Sequence, residues 1–256
     1  FGRERLLINV SRPHRPTRIE ETIEPLSLPY ETDFEETRDA WVPFLNYWRL
    51  KPEQWYWDDS GGNPGGCLRH EASLGVQKPG RGAHDAAILL RGGESWSDYV
   101  FEADAFAGRG HFGLWVRADM RDEGNGNGRW VQGYYLVVIP RGPKWRLWRA
   151  RQDGLVVENE SGEPMKPEKN HFSNPALLAE GPAPGSVEYG KWLTLRMEVR
   201  GNRITASVDG QEVVSLENDL YPTGSVGFTT YKGEDVRFDN IRVTPLKTAS
   251  DTEASE

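Results

Sequence analysis

From Trp192 to Arg200 the apolar residues Leu193, Leu195, Met197 and Val199 alternate with Thr194, Arg196, Glu198 and Arg200. That is the two-residue period of a strand with one face buried. Gly201-Asn202 supplies a turn pair, Ile204, Ala206 and Val208 resume the alternation, and Asp209-Gly210 readily takes the positive backbone angles of a tight hairpin. Beyond Gln211–Leu216 and a Pro222/Gly224 turn, the pairs Val226/Phe228, Val236/Phe238 and Ile241/Val243 carry the pattern on. The period slips between Phe238 and Ile241, which predicts a β-bulge at Asp239-Asn240 and a re-aimed carboxylate there.

The same pattern, less regular, runs through the middle of the chain. Ala86–Leu90 reads as a short buried strand. Tyr99–Phe106 and Phe112–Ala118 read as a pair joined by a Gly108-Arg109-Gly110 turn, and Gly133–Ile139 and Trp145–Ala150 as a hairpin turning at Pro140–Pro143. Residues 1–30 carry Pro13, Pro16, Pro25 and Pro29, with only Leu6–Val10 apolar enough to pair, and read as an arm. From Val157 to Tyr189 the pattern dissolves into Glu, Pro, Asn and Gly, the mark of a functional or disordered loop. Residues 247–256 hold no apolar anchor and read as a disordered tail.

Composition narrows the classes. Helical periodicity is hard to find, 28 Gly and 17 Pro cut the chain into short pieces, and 256 residues suit one large all-β domain. A net charge of -8 argues against nucleic acid or anionic lipid as partner, since both require a positive field. Cys67 stands alone, so the core must supply the stability, and no apolar run is long enough to span a membrane. Beginning at Phe1 without a signal peptide, the chain implies an upstream segment removed.

The succession Lys191-Trp192, Val199-Arg200-Gly201-Asn202, Val208-Asp209-Gly210, Gly224–Phe228 and Phe238–Val243 resembles the closing half of concanavalin A-like, laminin-G-like jelly rolls. Asp33-Phe34-Glu35, Trp41, Trp55–Trp57, Trp96–Tyr99 and Gly113–Arg117 match the opening half. Within that superfamily the chain is similar to the 3-keto-disaccharide hydrolase-like domains. The resemblance implies a sandwich of two antiparallel sheets over residues 31–246, a carbohydrate partner and an extracellular or cell-envelope setting. It also implies a structural Ca²⁺ clamped between the first and last strands, at Asp33 and Asp239, as hard oxygen ligands allow. The alternative is that Asp239-Asn240 only turns the strand.

Candidate chemistry is sparse. Glu102 and Asp104 share a strand face, but the third carboxylate of laminarinase-like enzymes is missing, so the solvated side of a sheet explains them better. His111, Gly113, Trp115 and Arg117 share another face. An indole beside a guanidinium suits a sugar, which stacks its C–H face and takes hydrogen bonds from the fork, and the resemblance points to Arg117 on the ligand side; a structural Arg paired with a neighbouring acid is the equal alternative. Tyr135, Trp148 and Trp57 complete the candidate ligand-binding set, and Cys67 reads as a packed thiol. His84-Asp85 reads as a solvated loop, and no histidine spacing suggests zinc.

Three readings remain open. The leading one is noncatalytic carbohydrate recognition through Trp115, Arg117, His111, Tyr135, Trp148 and Trp57. The enzyme alternative is a glycoside hydrolase or lyase using Glu102, His111 and Arg117. The third is a structural or adhesive domain, which a buried Trp115 would favour.

Overall fold

The computed structural model describes residues 5–12, 15–35, 41–45, 55–71, 85–122, 129–150, 157–158, 164–165 and 176–246. All regular elements among them are strands. β1 (Arg5–Arg12) and β2 (Arg15–Thr22) form a two-stranded sheet, so part of the expected arm is a hairpin. β3 (Tyr30–Thr32), β4 (Trp41–Leu45), β5 (Trp55–Asp58), β6 (Cys67–His70) and β7 (Asp85–Leu90) lead to the long β8 (Tyr99–Asp122). Then come β9 (Arg129–Ile139), β10 (Lys144–Ala150), the short pair β11 (Val157–Glu158) and β12 (Pro164–Met165), and β13 (Ala176–Pro182). β14 (Trp192–Arg200), β15 (Arg203–Val208), β16 (Gln211–Glu217) and the long β17 (Ser225–Pro245) close the chain.

Two strands organise everything else. β8 and β17 pair antiparallel along nearly their whole length, from Ser225↔Ala118 to Pro245↔Tyr99, with a register shift between Tyr231 and Glu234. On one side of that shift they belong to a sheet ordered β4-β7-β17-β8-β9-β10-β13. On the other they belong to a second sheet, with β14, β15 and β16 beyond β8 and with β3, β6 and β5 beyond β17. The two sheets face each other. Phe228 of the first stacks on Phe238 of the second with ring centroids 4.0 Å apart, and Phe101 lies 5.7 Å from Phe228.

The hydrophobic pattern reaches its expected place. Leu193, Leu195, Met197 and Val199 are buried in the core with Ile204, Ala206, Val208, Val236, Phe238, Ile241 and Val243. The turns hold as well: Gly201 (φ 56°) joins β14 to β15, and Asp209 (φ 49°) with Gly210 (φ 74°) makes the β15–β16 hairpin. The bulge falls on Asp239-Asn240, where Asn240 takes φ 51° and the register against β8 shifts.

Two expectations are corrected. Gly108-Arg109-Gly110 does not reverse the chain, because both flanking segments pair with β17 and the glycines only bend one strand from sheet to sheet. The 157–189 stretch contains β13, an edge strand on β10 whose alternation is hidden by flanking Pro and Gly. No helix among the described residues is long and apolar enough to cross a membrane. The expected tail, 247–256, and His84 lie outside the described residues.

Candidate functional site

Four of the six expected ligand-binding residues lie on one surface, the outer face of the first sheet. Trp145 and Leu147 of β10 enter the core, so Lys144, Arg146 and Trp148 point away from it. Cross-strand register then aligns Trp148 with Tyr135 and Tyr135 with Trp115. The rings stack as a row, with centroids 4.3 Å apart for Trp115/Tyr135 and 6.4 Å for Tyr135/Trp148. His111 occupies the same face beside Tyr231, ring centroids 5.2 Å apart, and Gly113 and Thr229 make a buried floor between the two aromatic sets.

Exposure is uneven along the row. Trp115 is fully buried in a second apolar cluster with Ala87, Leu89, Ala118 and Met120, so it supports the row from beneath rather than presenting a platform. Tyr135 is buried at 6 % exposure, while Trp148, Val137, His111 and Tyr231 keep part of their surface in solvent. Arg146 carries its guanidinium carbon 5.9 Å over the Trp148 ring, and its Nε donates to Glu180 at 2.8 Å.

Arg117 leaves this face. The β8–β9 register breaks between Val116 and Asp119 and Arg117 takes φ 48°, so the alternation that put it beside Trp115 no longer holds. Its buried guanidinium donates through Nε and Nη2 to Ser97 O, through Nη1 to Tyr221 O and through Nη2 to Asp98. Its main-chain N–H donates to the Tyr99 hydroxyl at 2.7 Å, and that hydroxyl is in turn within reach of Gly224 O and Ser225 O. Burial pushes the Tyr99 phenol well above its ordinary range. The arginine thus ties the 97–98 segment to residue 221, beneath the sheet end.

Glu102 belongs to the other sheet. On its outer face Glu102 lies in a row with Arg196 on one side and Arg242 on the other, and Arg242 Nε donates to Glu31 at 3.0 Å. The structure therefore does not gather Glu102, His111 and Arg117 into one cleft. Trp57 sits in β5 at the edge of the second sheet, partly buried against the main core, away from the Trp148 row. Cys67 is fully buried and burial pushes its thiol up to about 12, as a packed thiol should be.

Asp239 is fully buried, and its oxygens accept the main-chain N–H groups of Asn63 and Asn240. Opposite it in register, Asp104 accepts from Thr194 Oγ1 at 2.9 Å and from the side-chain amides of Asn240 at 3.0 Å and Asn63 at 3.2 Å. Glu35 accepts from Gly66 N, and Asp58 from Ser60 and Arg69. These carboxylates pin the 58–66 loop to the second sheet. Burial raises the Asp239 carboxyl above its usual range, with the charges of Asp104 and Asp33 adding to the rise against the lowering effect of the two N–H donors. Each Asp239 oxygen already accepts one main-chain amide, and among the described residues no group of three or more His, Cys, Asp or Glu is gathered as for a metal ion.

Residues that the sequence did not single out complete the first face. Tyr231 reaches it through register with His111 on β8, and Glu180 through register with Arg146, 34 positions away, a signal that alternation within one strand does not carry.

The fold is shared with solved structures of distant sequence. The carbohydrate-binding module CBM66 from Bacillus subtilis matches at TM-score 0.51 and 17% identity, over 80% of this chain and 96% of that one. A structure described as a native glycosidic hydrolase matches at TM-score 0.55 and 10% identity, over 88% of this chain and 100% of that one. A family 16 endo-glucanase from Bacteroides ovatus matches at TM-score 0.51 and 10% identity, over 84% and 99%. A search of curated protein sequences finds no match. The family model described as the 3-keto-alpha-glucoside-1,2-lyase-like domain matches residues 36–244. With most of its length matched, and with the jelly-roll architecture in place, the chain belongs to the 3-keto-alpha-glucoside-1,2-lyase-like domain family.

Proposed function

We propose that this domain recognises carbohydrate without cleaving it, on the outer face of the first sheet. The observation that carries the reading is the stacked row Trp148, Tyr135 and Trp115, with its Trp148 end partly open and Arg146 held over that ring. A pyranose can lay its C–H face on such a ring while His111, Tyr231 and Arg146 offer hydrogen bonds to its hydroxyls. Jelly-roll neighbours that bind or hydrolyse glycans add support for the partner class. An extracellular or cell-envelope setting, as the resemblance implies, is part of the same reading. The separation of Glu102, His111 and Arg117 favours binding over hydrolysis or elimination.

The test is a broad glycan screen with Trp148→Ala. Loss of about tenfold or more in affinity with an unchanged melt supports the site; retained affinity places it elsewhere. Release of products from a bound glycan, abolished by Glu102→Gln, would establish the enzyme reading instead.

The full burial of Trp115 favours a second reading, a structural or adhesive domain without a small ligand. A screen with no binding partner at all would bring it forward. Calcium held between Asp33 and Asp239 is a separate part of the proposal, supported by the charge of Asp33 acting on the Asp239 carboxyl. A melting temperature that falls on chelation, with the response lost in Asp239→Ala, would establish it, because an ion bound only to the native state stabilises by mass action.

A further inference from the structure

The chain as a whole is acidic, at -8, yet the described charges on the outer face of the first sheet are mainly basic where β9 turns into β10. Lys144 and Arg146 both point outward from β10, Arg141 is exposed in the turn before them, and His111 lies two strands away on the same face. At about 4.8 Å between neighbouring strands, the cations of β10 and His111 lie within roughly 10 Å of one another. The described acid beside Arg146 is Glu180, and it engages Arg146 only at Nε, while Asp85 of β7, in register with Tyr231, lies on the far side of His111 from β10. Among the described residues nothing accepts from the Nη groups of Arg146 or from Lys144 Nζ.

That arrangement is oriented as well as positive. Glu180 on one edge and Trp148 beneath hold the Arg146 guanidinium in place, leaving its terminal N–H groups directed away from the ion pair. A guanidinium fork matches a carboxylate or sulfate with two parallel charge-assisted bonds, which a neutral hydroxyl, having a single oxygen and no charge, cannot reproduce. Lys144, two residues along the same strand, adds a second cation that needs no particular geometry.

The geometry points to an anionic saccharide as the ligand of this face, its ring on the Trp148 end of the aromatic row and its carboxylate or sulfate on Arg146 and Lys144. The inference rests on the carbohydrate reading above and narrows it to a substrate class. It also accounts for an acidic protein keeping Lys144 and the Nη groups of Arg146 beside its stacked rings, where solubility alone would not ask for them.

Calorimetric titration of the full chain with an oligogalacturonate, a sulfated oligogalactan and the neutral oligogalactan tests it. The acidic probes, one or both, should bind on the order of tenfold tighter than the neutral one. That advantage should shrink as salt is raised. In the double variant Lys144→Gln/Arg146→Gln the advantage should vanish while the melt stays where it was, both side chains being on the surface. The carboxylate and sulfate arms decide which anion is preferred. Equal affinity for neutral and acidic probes would overturn the inference and leave the carbohydrate reading standing, whereas binding of no saccharide would remove both. Equally tight binding of inorganic polyphosphate, which has no sugar ring to stack, would reduce the face to a general anion site and overturn the saccharide assignment.

Discussion

Single buried polar side chains hold this fold at defined points. His70 is enclosed by Trp55, whose ring is 4.8 Å away, and by Thr230 and the Gly233 carbonyl; burial pushes its imidazole down to about 4, with the Gly233 carbonyl acting the other way. The unfolded chain therefore binds the extra proton between its ordinary value near 6.5 and 4, so His70 favours the folded state fully above about pH 6.5 and progressively less as acid is added. The loss amounts to about 3 kcal/mol by pH 4. Denaturant melts of wild type and His70→Phe across that range should show a shallower acid slope in the variant, and identical slopes would contradict it. Asp239 works in the opposite direction, because a raised carboxyl stabilises the fold as pH drops through its native value toward the unfolded one, so the comparison with a His70 variant is what isolates the histidine. Arg117→Met should cost about 3–5 kcal/mol, since it leaves the buried Tyr221 carbonyl and the part-buried Ser97 carbonyl without their charged donor. Leu195→Ala should cost roughly 2–5 kcal/mol, the side chain being fully buried.

Elements owe their placement to bends and pins rather than to pairing alone. β8 and β17 each serve both sheets, so each must change direction near Arg109 and Tyr231–Glu234 while keeping its apolar residues inward on either side. Gly110, at φ 90°, permits that change in β8. The 58–66 loop is held to the second sheet by Asp239, Asp104 and Glu35, and it has no room to spare. A Cβ on Gly62 would meet the carbonyl oxygens of Gly66 at 2.0 Å and Gly65 at 2.8 Å, backbone atoms that cannot rotate away. Gly62→Ala should therefore lower stability by about 2 kcal/mol or more in a thermal or denaturant melt. A loss below about 0.5 kcal/mol would mean that the loop is free to shift.

For the molecule as a whole, the two outer faces divide the work. The second sheet carries a neutralised lattice, Glu31, Arg242, Glu102 and Arg196 in one row and the loop-pinning acids in the next, with little left over to engage a ligand. The first sheet carries stacked rings beside Lys144 and Arg146, the latter tied to Glu180 through Nε alone. Trp115→Ala and Trp148→Ala should accordingly separate: the first should lower the melt by several degrees through a cavity of about 3–5 kcal/mol, the second should leave the melt alone and act on binding. Equal thermal effects would place both rings in the same environment.

The alternation of Leu193 to Val199, the Asp209-Gly210 turn and the slip at Asp239-Asn240 were enough by themselves to determine an all-β chain, its hairpins and its bulge, because each depends on neighbours within a few residues. The shared face of His111 and Trp115 followed from the same alternation, whereas cross-strand register brought Tyr135 and Trp148 to it. Tertiary structure alone decided the rest. A left-handed residue at Arg117 turned its side chain out of the row, a bend in place of a reversal at Gly108–Gly110 put Glu102 on a different sheet from His111, and packing against Leu89 and Met120 sealed Trp115 from solvent. Alternation tells which residues share a side, but where a strand bends and what lies across it depend on pairing between segments more than a hundred residues apart, and no local period records that.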